Sequence, residues 1–276
     1  MKPRILPAIL LAAALLPAAV KSEDGLVYGE AAGQKLTMDY YPPDGPGPHP
    51  IAIIIHGGGF VGGTSKNGSE AYCADFLAPA GYAVFSINYR LAPQFPLSAM
   101  VEDVHTAVRY IRRNAKKWNA DPGRIALVGG SAGGYLSNMA GVTGRGDTAV
   151  EAVVTLFGLS YLPAMPMRGD VKSLLGPKND AVDASPVTHV SRNAPPFLLI
   201  HGDKDEAVPF DQSLRMQKVL RAAGVRCDLL VIPNGPHATG SWHRIPGVPD
   251  WERQMTVWLN GVLHHDGPVG AGIRER

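Results

Sequence analysis

A serine lies at the centre of a run of small residues that extends from Gly129 to Gly134. Ser131 follows an apolar strand-like run and precedes a helical pattern, and Gly-x-Ser-x-Gly in that setting is typical of a nucleophile elbow. The sharp turn strains the serine, so its neighbours must be small, and the hydroxyl stands at a helix start whose dipole favours negative charge. A structural glycine turn is the alternative. We predict that Ser131 is a nucleophile.

Acid and base candidates follow two later strand-like runs. A nucleophilic serine needs a base, and the base needs a carboxylate that fixes its tautomer. Asp205 comes shortly after the run at 197–200, and His237 comes shortly after the run at 229–232. Serine, acid and base thus follow successive strand ends in the order that accompanies a nucleophile elbow. We predict Ser131, Asp205 and His237 as a catalytic triad.

Neighbouring residues compete for two of these roles. Asp203 is the alternative acid, although a side-chain acceptor at that position is expected to shape the turn. His243 is the alternative base, but it lies further from the strand end. His201 lies inside the turn that leads to the acid, and we expect it to be structural.

Three glycines follow His56 directly after the strand-like run at 51–55. Glycines allow the backbone to turn its amides into a site. The amides of Gly58 and Gly59, together with that of Ala132, are therefore predicted to hold the oxyanion of a tetrahedral intermediate. A phosphate-binding loop is the rival interpretation, but no Gly-Lys-Ser/Thr follows. His56 itself is expected to brace the loop.

Arg90 and Asp103 lie near the glycine loop in chain order. Two interpretations remain open for them. They form either a buried pair that supports the loop or two ordinary polar residues, one on a loop and one on a helix.

Apolar runs and helical patterns alternate along the chain from residue 25. Continuous aliphatic runs are typical of strands covered on both faces. Such runs lie at 51–55, 83–87, 125–128, 153–157, 197–200 and 229–232. An antiparallel hairpin at 26–28 and 36–41 precedes them. Helices are predicted at 98–115, 211–223 and 251–263, with Ser98 and Asp211 as N-caps of the first two. The alternation predicts an α/β fold with a mostly parallel eight-stranded sheet flanked by helices.

The stretch 159–193, between the sixth and seventh predicted strands, differs from the rest. It holds four prolines, one short helix-like piece and little periodicity. We predict a short lid or substrate-binding loop, since long loops are often functional, with a passive connection as the alternative. Phe60, Tyr161 and Trp242 are the predicted substrate-binding residues, and Met165 is a further candidate, although loop aromatics also pack on cores.

The first residues resemble a secretory signal. Lys2 and Arg4 precede an apolar stretch at 5–20 that is short for a membrane span and is followed by small residues. We expect a signal peptide at 1–22, with an uncleaved anchor as the alternative, and a secreted or periplasmic protein without stable membrane insertion. Residues 23–276 are predicted to form a single catalytic domain.

Charge, histidine and cysteine content limit the expected ligands and the expected disulfides. The chain of 276 residues has 26 basic and 24 acidic residues and a formal net charge of +2, and no run of lysine and arginine stands out, so nucleic acid is not an expected partner. Cysteine and histidine show no metal-ligand spacing, and no metal is expected. The two cysteines, Cys73 and Cys227, are expected to stay unpaired because they lie on elements placed far apart in the sheet. A disulfide is the alternative.

Three motifs carry a family resemblance. HGGGF at 56–60, NYRLAP at 88–93 and GGSAGG at 129–134 resemble the hormone-sensitive-lipase-like esterases. SPVTHV at 185–190 and the segment 194–209 are more similar to the feruloyl and acetylxylan esterase-like branch of that fold. The resemblance implies an α/β-hydrolase fold and a carboxylic ester hydrolase that needs no cofactor, and it places the acid at Asp205.

Two features depart from the family pattern. Gly235-Pro236-His237-Ala238 replaces the usual small-Gly-His-Gly/Ala arrangement, which changes the expected shape of the loop that carries the base. We do not expect the long N-terminal cap of many hormone-sensitive-lipase-like enzymes, because the predicted signal ends only a few residues before the first strand, and we therefore expect an open site that accepts bulky alcohol moieties. Short-chain acyl esters or feruloyl and acetyl carbohydrate esters are the expected substrates. Rival functions are an arylformamidase, a small serine peptidase and, from another class, a non-catalytic binding protein.

Overall fold

A computed structural model describes residues 21–68, 70–165, 171–176, 178 and 180–263. Most of the predicted signal peptide lies outside the described residues. None of the helices in these ranges combines the length and the apolarity that are needed to cross a membrane.

One eight-stranded sheet lies at the centre of the described chain. Its strands are β1 (Glu23–Ala31), β2 (Gln34–Tyr41), β3 (His49–Ile55), β4 (Ala83–Ile87), β5 (Ala120–Gly130), β6 (Ala152–Leu156), β7 (Phe197–Gly202) and β8 (Cys227–Ile232). The spatial order is β1-β2-β4-β3-β5-β6-β7-β8. β2 pairs antiparallel with β1 and β4, and the other neighbouring strands pair in parallel. The predicted hairpin and the mostly parallel sheet are therefore confirmed.

Helices follow most of the strands. They are α1 (Ala74–Leu77), α2 (Leu97–Asn114), α3 (Ala132–Thr143), α4 (Val171–Leu175), α5 (Asp211–Ala222) and α6 (Trp251–Leu263). The three predicted helices are confirmed to within one residue at each end. The predicted caps are wrong. α2 begins at Leu97 because the extended Pro96 precedes it, and Phe210 precedes α5, so Ser98 and Asp211 lie inside the first turns.

Alternate residues of β3 face two separate apolar layers. Every residue of His49–Ile55 is buried. Ile53 lies in one layer with Val104 of α2, and Ile54 lies in the other with Met255 of α6. Successive side chains of a strand point to opposite faces, so helices cover both faces of the sheet. This explains why the core strands are unbroken aliphatic runs rather than alternating patterns.

The two cysteines lie in different layers. Cys227 belongs to the layer of α2 and Cys73 to the layer of α6, so the sheet separates them. Both are free and buried, which confirms the unpaired interpretation. Burial raises the pKa of both thiols, that of Cys227 to about 12, so neither carries a reactive thiolate near neutral pH.

The segment 159–193 crosses from β6 to β7 through short helical turns. Its described parts include 3-10 turns at Leu162–Ala164 and Pro186–His189, and α4 forms where a helix-like piece was predicted. Near its start, the amide of Ser160 donates to Gln212 Oε1 of α5 at 2.8 Å. The movement of this segment as a lid stays a prediction.

Candidate active site

Ser131 lies in the tight turn between β5 and α3. Its backbone has φ 54° and ψ −120°, a conformation that costs a non-glycine residue roughly 1–3 kcal/mol. Side chains at Gly129 and Gly133 would collide with the backbone oxygens of Gly133 and Ile55, respectively. Both positions therefore require glycine. The turn holds the serine hydroxyl above the strand end, beside the amino terminus of α3.

The three residues predicted as a triad lie within hydrogen-bonding distance of one another. His237 Nε2 is 3.1 Å from Ser131 Oγ, and His237 Nδ1 is 2.8 Å from Asp205 Oδ2. An ionised carboxylate only accepts hydrogen bonds, so Nδ1 carries the proton and Nε2 can accept the serine proton. Ser131, Asp205 and His237 follow β5, β7 and β8. Three parallel strands thus deliver them to one edge of the sheet.

Asp205 is surrounded by donors. Its Oδ1 accepts the amides of Ala207 at 2.9 Å and Val208 at 2.8 Å, and His201 Nε2 lies 3.3 Å from its Oδ2. Burial alone would raise the pKa of Asp205, but hydrogen bonds from His201, His237 and the Val208 amide outweigh burial and hold this pKa well below its usual value. The carboxylate therefore stays charged while it orients the imidazole.

The competing acid and base have other positions. Asp203 accepts the amide of Asn234 at 2.7 Å and so joins the acid turn to the loop after β8. Asp203 therefore acts as an acceptor between two loops, whereas a role within its own turn was expected. His243 is exposed in the 3-10 turn Thr239–Arg244. His201 is buried beneath Asp205, with Nδ1 2.7 Å from Ser213 Oγ, which is the structural position expected for it.

The glycine loop after β3 has its carbonyl groups fixed. The Tyr89 hydroxyl donates to His56 O at 2.8 Å. His56 Nδ1 donates to Gly57 O at 2.6 Å, and burial lowers the pKa of this histidine, so it stays neutral. The Val61 amide donates to Gly58 O at 3.2 Å. His56 thus braces the loop, as expected.

Fixed carbonyls orient the two predicted oxyanion donors of the loop. A carbonyl and the next amide share one planar peptide unit, so the bond to Gly57 O orients the N–H of Gly58, and the bond to Gly58 O orients the N–H of Gly59. Among the described residues, none accepts a hydrogen bond from either amide. Ala132 is the first residue of α3, where an amide has no partner within the helix. Gly59 and Ala132 border the cavity at Ser131.

Two cavities meet at Ser131 and His237. The first, of about 250 Å³, is lined mainly by apolar side chains, among them Phe60, Leu159, Met165, Leu174 and Val208. The second, of about 430 Å³, is lined mainly by glycines of the loop after β3, together with Glu70 and Phe157. The site therefore has one apolar side and one side built largely from backbone.

The predicted substrate-binding residues lie in three different settings. Phe60 borders the apolar cavity. Tyr161 lies outside both cavities, with its ring centroid 5.7 Å from the guanidinium of Arg215. Trp242 is fully buried and donates its indole N–H to Pro236 O at 3.0 Å. The prediction for Trp242 is wrong, because its ring supports the loop of the base from behind. Met165 lines the apolar cavity, as proposed.

Two residues at the site were missed by sequence reasoning. Phe157 directly follows β6 with φ 43°, and its ring centroid lies 4.6 Å from that of His237. Glu70 is buried, and its Oε2 accepts the Gly57 amide at 3.0 Å. Phe157 directly follows the aliphatic run of β6, the strand beside β5, and this position at a strand end could have marked it. No motif marked Glu70.

Arg90 and Asp103 form the buried pair that was one of two interpretations. The guanidinium binds both carboxylate oxygens, with Nη2 2.7 Å from Oδ1 and Nε 2.9 Å from Oδ2. The Arg90 amide also donates to Oδ2 at 2.9 Å. Two residues further on, the Ala92 amide donates to Phe60 O at 2.9 Å. The pair therefore anchors the loop that holds Phe60 at the cavity.

The sheet order, the elbow between β5 and α3 and the triad at three strand ends define an α/β-hydrolase. A family model described as BD-FAE matches residues 38–220. The chain belongs to the BD-FAE family, which confirms the resemblance seen in its motifs.

Relatives and solved structures agree with this family. Esterase LipC of Mycobacterium tuberculosis is 32% identical over 219 residues, which cover 69% of this chain and 53% of LipC. Acetylxylan esterase of Xylanibacter ruminicola is 29% identical over 221 residues, which cover 75% of this chain and 44% of that protein. The chain thus spans about half the length of these curated relatives. A truncated carbohydrate esterase from gut microbiota is 28% identical, with a TM-score of 0.77, over 88% of this chain and 96% of that one.

Proposed function

We propose that this protein is a serine carboxylic ester hydrolase that works through an acyl-enzyme. The observation that carries the proposal is the unbroken line of hydrogen bonds from Ser131 through His237 to Asp205. The rival from another class, a non-catalytic binding protein, does not require a carboxylate, an imidazole and a strained serine joined in that order.

The proposed reaction has two balanced halves. Ser131 Oγ attacks the ester carbonyl while His237 Nε2 takes the hydroxyl proton, and the oxyanion lies on the amides of Gly58, Gly59 and Ala132. When the intermediate collapses, His237 returns this proton to the leaving alcohol. Water then attacks the acyl-enzyme by the same route and releases the carboxylic acid.

The two cavities suit the two parts of an ester, the acyl group and the alcohol. The apolar cavity of about 250 Å³ fits a short acyl chain or an aromatic acyl group. The larger, glycine-lined cavity leaves room for the alcohol, and a carbohydrate ester suits its backbone-rich wall. The names of two relatives, an acetylxylan esterase and a carbohydrate esterase, favour the same substrate class. We propose short-chain acyl esters, or feruloyl and acetyl esters of carbohydrates, as substrates.

Purified protein and its Ser131→Ala variant test this proposal. Both are assayed on p-nitrophenyl acetate, butyrate and octanoate, on methyl ferulate and on acetylated xylan. We expect hydrolysis by the natural sequence only, and the ranking of substrates identifies the acyl group. Inertness on every ester contradicts the proposal and directs attention to formylkynurenine and peptide amides, the substrates of the rival arylformamidase and peptidase. Equal activity in both proteins removes Ser131 as the nucleophile.

We also propose export through the signal at 1–22. Expression of the full chain in a bacterial host followed by fractionation and N-terminal sequencing tests this proposal. The expected product is periplasmic or secreted and begins near residue 23. An intact N-terminus in the membrane fraction supports the uncleaved anchor instead.

A further inference from the structure

Glu70 places a carboxylate in a slot between two parts of the active site. Its side chain is 1% exposed. A Cβ added at Gly130 would collide with Glu70 Oε1, and one added at Gly68 would lie 2.7 Å from Oε2. Gly130 directly precedes the nucleophile, and Gly68 lies on the returning part of the glycine loop. The glycines at these two positions therefore make room for this carboxylate.

The peptide unit between His56 and Gly57 is hydrogen-bonded at both its amide and its carbonyl, and the Glu70 carboxylate makes the bond to the amide. The Gly57 amide donates to Glu70 Oε2 at 3.0 Å, and the carbonyl of the same peptide unit, that of His56, accepts the Tyr89 hydroxyl at 2.8 Å. Because a peptide is planar, bonds at both ends stop it from rotating about the chain axis. This unit immediately precedes the amides of Gly58 and Gly59.

The same side chain also joins the oxyanion loop to the nucleophile. β3 and β5 are neighbouring parallel strands, with Ile55 opposite Gly129. The loop follows Ile55 and the elbow follows Gly129, so the Glu70 carboxylate lies between the ends of the two strands. It contacts Gly57 on one side and Gly130 on the other. The relative position of the amide donors and Ser131 therefore depends on it.

We propose that Glu70 is a positioning residue that sets the oxyanion hole by fixing the Gly57 amide against the nucleophile elbow. The inference rests on the proposed ester hydrolysis and names a residue that acts on it through the backbone. An oxyanion exists only in the intermediate and its transition states, so a displaced donor lowers kcat and leaves KM nearly unchanged.

A direct contact with substrate is the competing role for Glu70, because it also lines the larger cavity with Ser131 and His237. A contact made equally in the ground state and transition state raises KM without lowering kcat. The split between kcat and KM thus distinguishes the two roles. Affinity for a trifluoromethyl ketone, which forms a tetrahedral adduct with serine, gives a second measure.

The variants are Glu70→Gln and Glu70→Ala, and Glu151→Ala is the matched control. Glu151 is likewise a carboxylate that accepts a backbone amide, that of Ile125 at 2.8 Å, although it is more exposed than Glu70 and also lies 3.6 Å from Arg112 Nη2. Ile125 lies at the opposite end of the core run of β5 from Ser131. The control therefore loses the same kind of bond far from the site. Melting temperature and active-site titration with a fluorophosphonate give the folded, reactive fraction of each variant.

The expected result for Glu70→Ala, per titrated site, is a fall in kcat of roughly 10- to 100-fold with KM within about threefold. Affinity for the trifluoromethyl ketone is expected to fall by the same factor. Glu70→Gln, which keeps an oxygen acceptor, is expected to recover part of kcat, and Glu151→Ala is expected to keep all of it. An unchanged kcat in either Glu70 variant overturns the proposal, as does a loss confined to KM or an equal loss in the control.

Two further readouts keep the result decisive. If Glu70→Ala does not fold, Glu70→Gln carries the test. If the natural sequence reacts with the fluorophosphonate but hydrolyses no ester, the proposed function fails and the role of Glu70 is judged by the labelling rate. A labelling rate equal to that of the natural sequence in Glu70→Gln then overturns the positioning role.

Discussion

The two sides of the active site are held by different forces. The described part of the loop at 56–70, which carries the predicted oxyanion donors, is held by directional bonds that include several buried polar groups. Ser65 illustrates this: its amide donates to Asn88 Oδ1 at 2.8 Å, its hydroxyl to Asp39 Oδ2 at 2.5 Å, and its carbonyl accepts the Ser86 hydroxyl at 2.7 Å. The amide, the hydroxyl and the carbonyl of Ser65 are thus all hydrogen-bonded.

The segment at 159–193 reaches Ser131 in another way. Hydrogen bonds hold its described parts at several points, for example from the Ser160 amide to Gln212 and from the Tyr135 hydroxyl to Ala184 O. The side chains that line the apolar cavity, Met165 and Leu174, pack by apolar contact. Such contact is non-directional, so it fixes volume more than angle.

The difference between the two sides separates chemistry from selectivity. Oxyanion donors must be placed within tenths of an ångström, which directional hydrogen bonds achieve. An acyl group needs a cavity of suitable volume, which apolar side chains provide. Substitutions on the polar side are therefore expected to change the rate or the stability, and substitutions on the apolar side are expected to change which ester reacts.

The largest effect is expected from Asp205→Asn. This change keeps the shape of the side chain but removes the charge that fixes the tautomer of His237, and kcat is expected to fall about 10⁴-fold. The ranking of acetate, butyrate and octanoate esters should stay the same, since the apolar cavity is untouched. Steady-state kinetics on the three esters measure both quantities. A fall in kcat of less than tenfold, or a changed ranking of the three esters, contradicts the separation of rate from selectivity between the two sides.

The next effect is on stability, through the anchor of Phe60. Asp103→Asn leaves the Arg90 guanidinium buried without its charge partner, and the free energy of unfolding is expected to drop by about 3–5 kcal/mol. In the matched control, Asp147→Asn, an exposed ion pair with Arg113 is lost and the change is expected to be about 0–1 kcal/mol. Urea unfolding measures both. Similar values for the two variants contradict a structural role for the buried pair.

Acid is expected to reduce the contribution of the Asp205 carboxylate to the free energy of unfolding. The pKa of Asp205 is lowered in the folded protein, so its charge stabilises the fold above the usual carboxyl pKa of about 3.9, and this contribution is lost as pH falls through the lower folded value. The stability difference between the natural sequence and Asp205→Asn is therefore expected to shrink below about pH 4. Urea unfolding from pH 7 to pH 3 measures it. A difference that grows in acid has the wrong sign for a lowered pKa.

The smallest effect is expected on the apolar side. Leu174→Ala enlarges the cavity at Ser131, and the ratio of kcat/KM for octanoate over acetate esters should rise about 3- to 10-fold. Leu175→Ala is the control, because the neighbouring Leu175 lines a different cavity between α2 and α3. Equal shifts in both variants assign the effect to α4 as a whole and not to the cavity wall.

Sequence patterns located the proposed triad and some of the residues that support the site, such as His56, but not all of them. Ser131, Asp205 and His237 each follow an aliphatic run, and parallel strands bring such positions to one edge of a sheet. Phe157 also follows such a run, that of β6, but its position alone does not predict the contact with His237. Glu70 carries no such mark, because its contacts arise between loops that only the folded chain brings together.

Aromatic loop residues show the opposite error. Trp242 was predicted to bind substrate, yet it is fully buried behind the loop of the base. A single aromatic residue in an irregular segment gives no periodicity, so its direction cannot be read from its neighbours. The predicted N-cap of α2 was also wrong. Pro96 precedes the helix, so α2 begins at Leu97, one residue before Ser98, the expected cap.

Covalent labelling shows directly whether Ser131 is the nucleophile. The purified protein is incubated with a fluorophosphonate, digested and mapped by mass spectrometry, with and without a preceding excess of ester substrate. We expect one adduct per chain, on the peptide that contains Ser131, at a rate that the ester slows. An adduct on another residue, or no adduct in folded protein, contradicts Ser131 as the nucleophile.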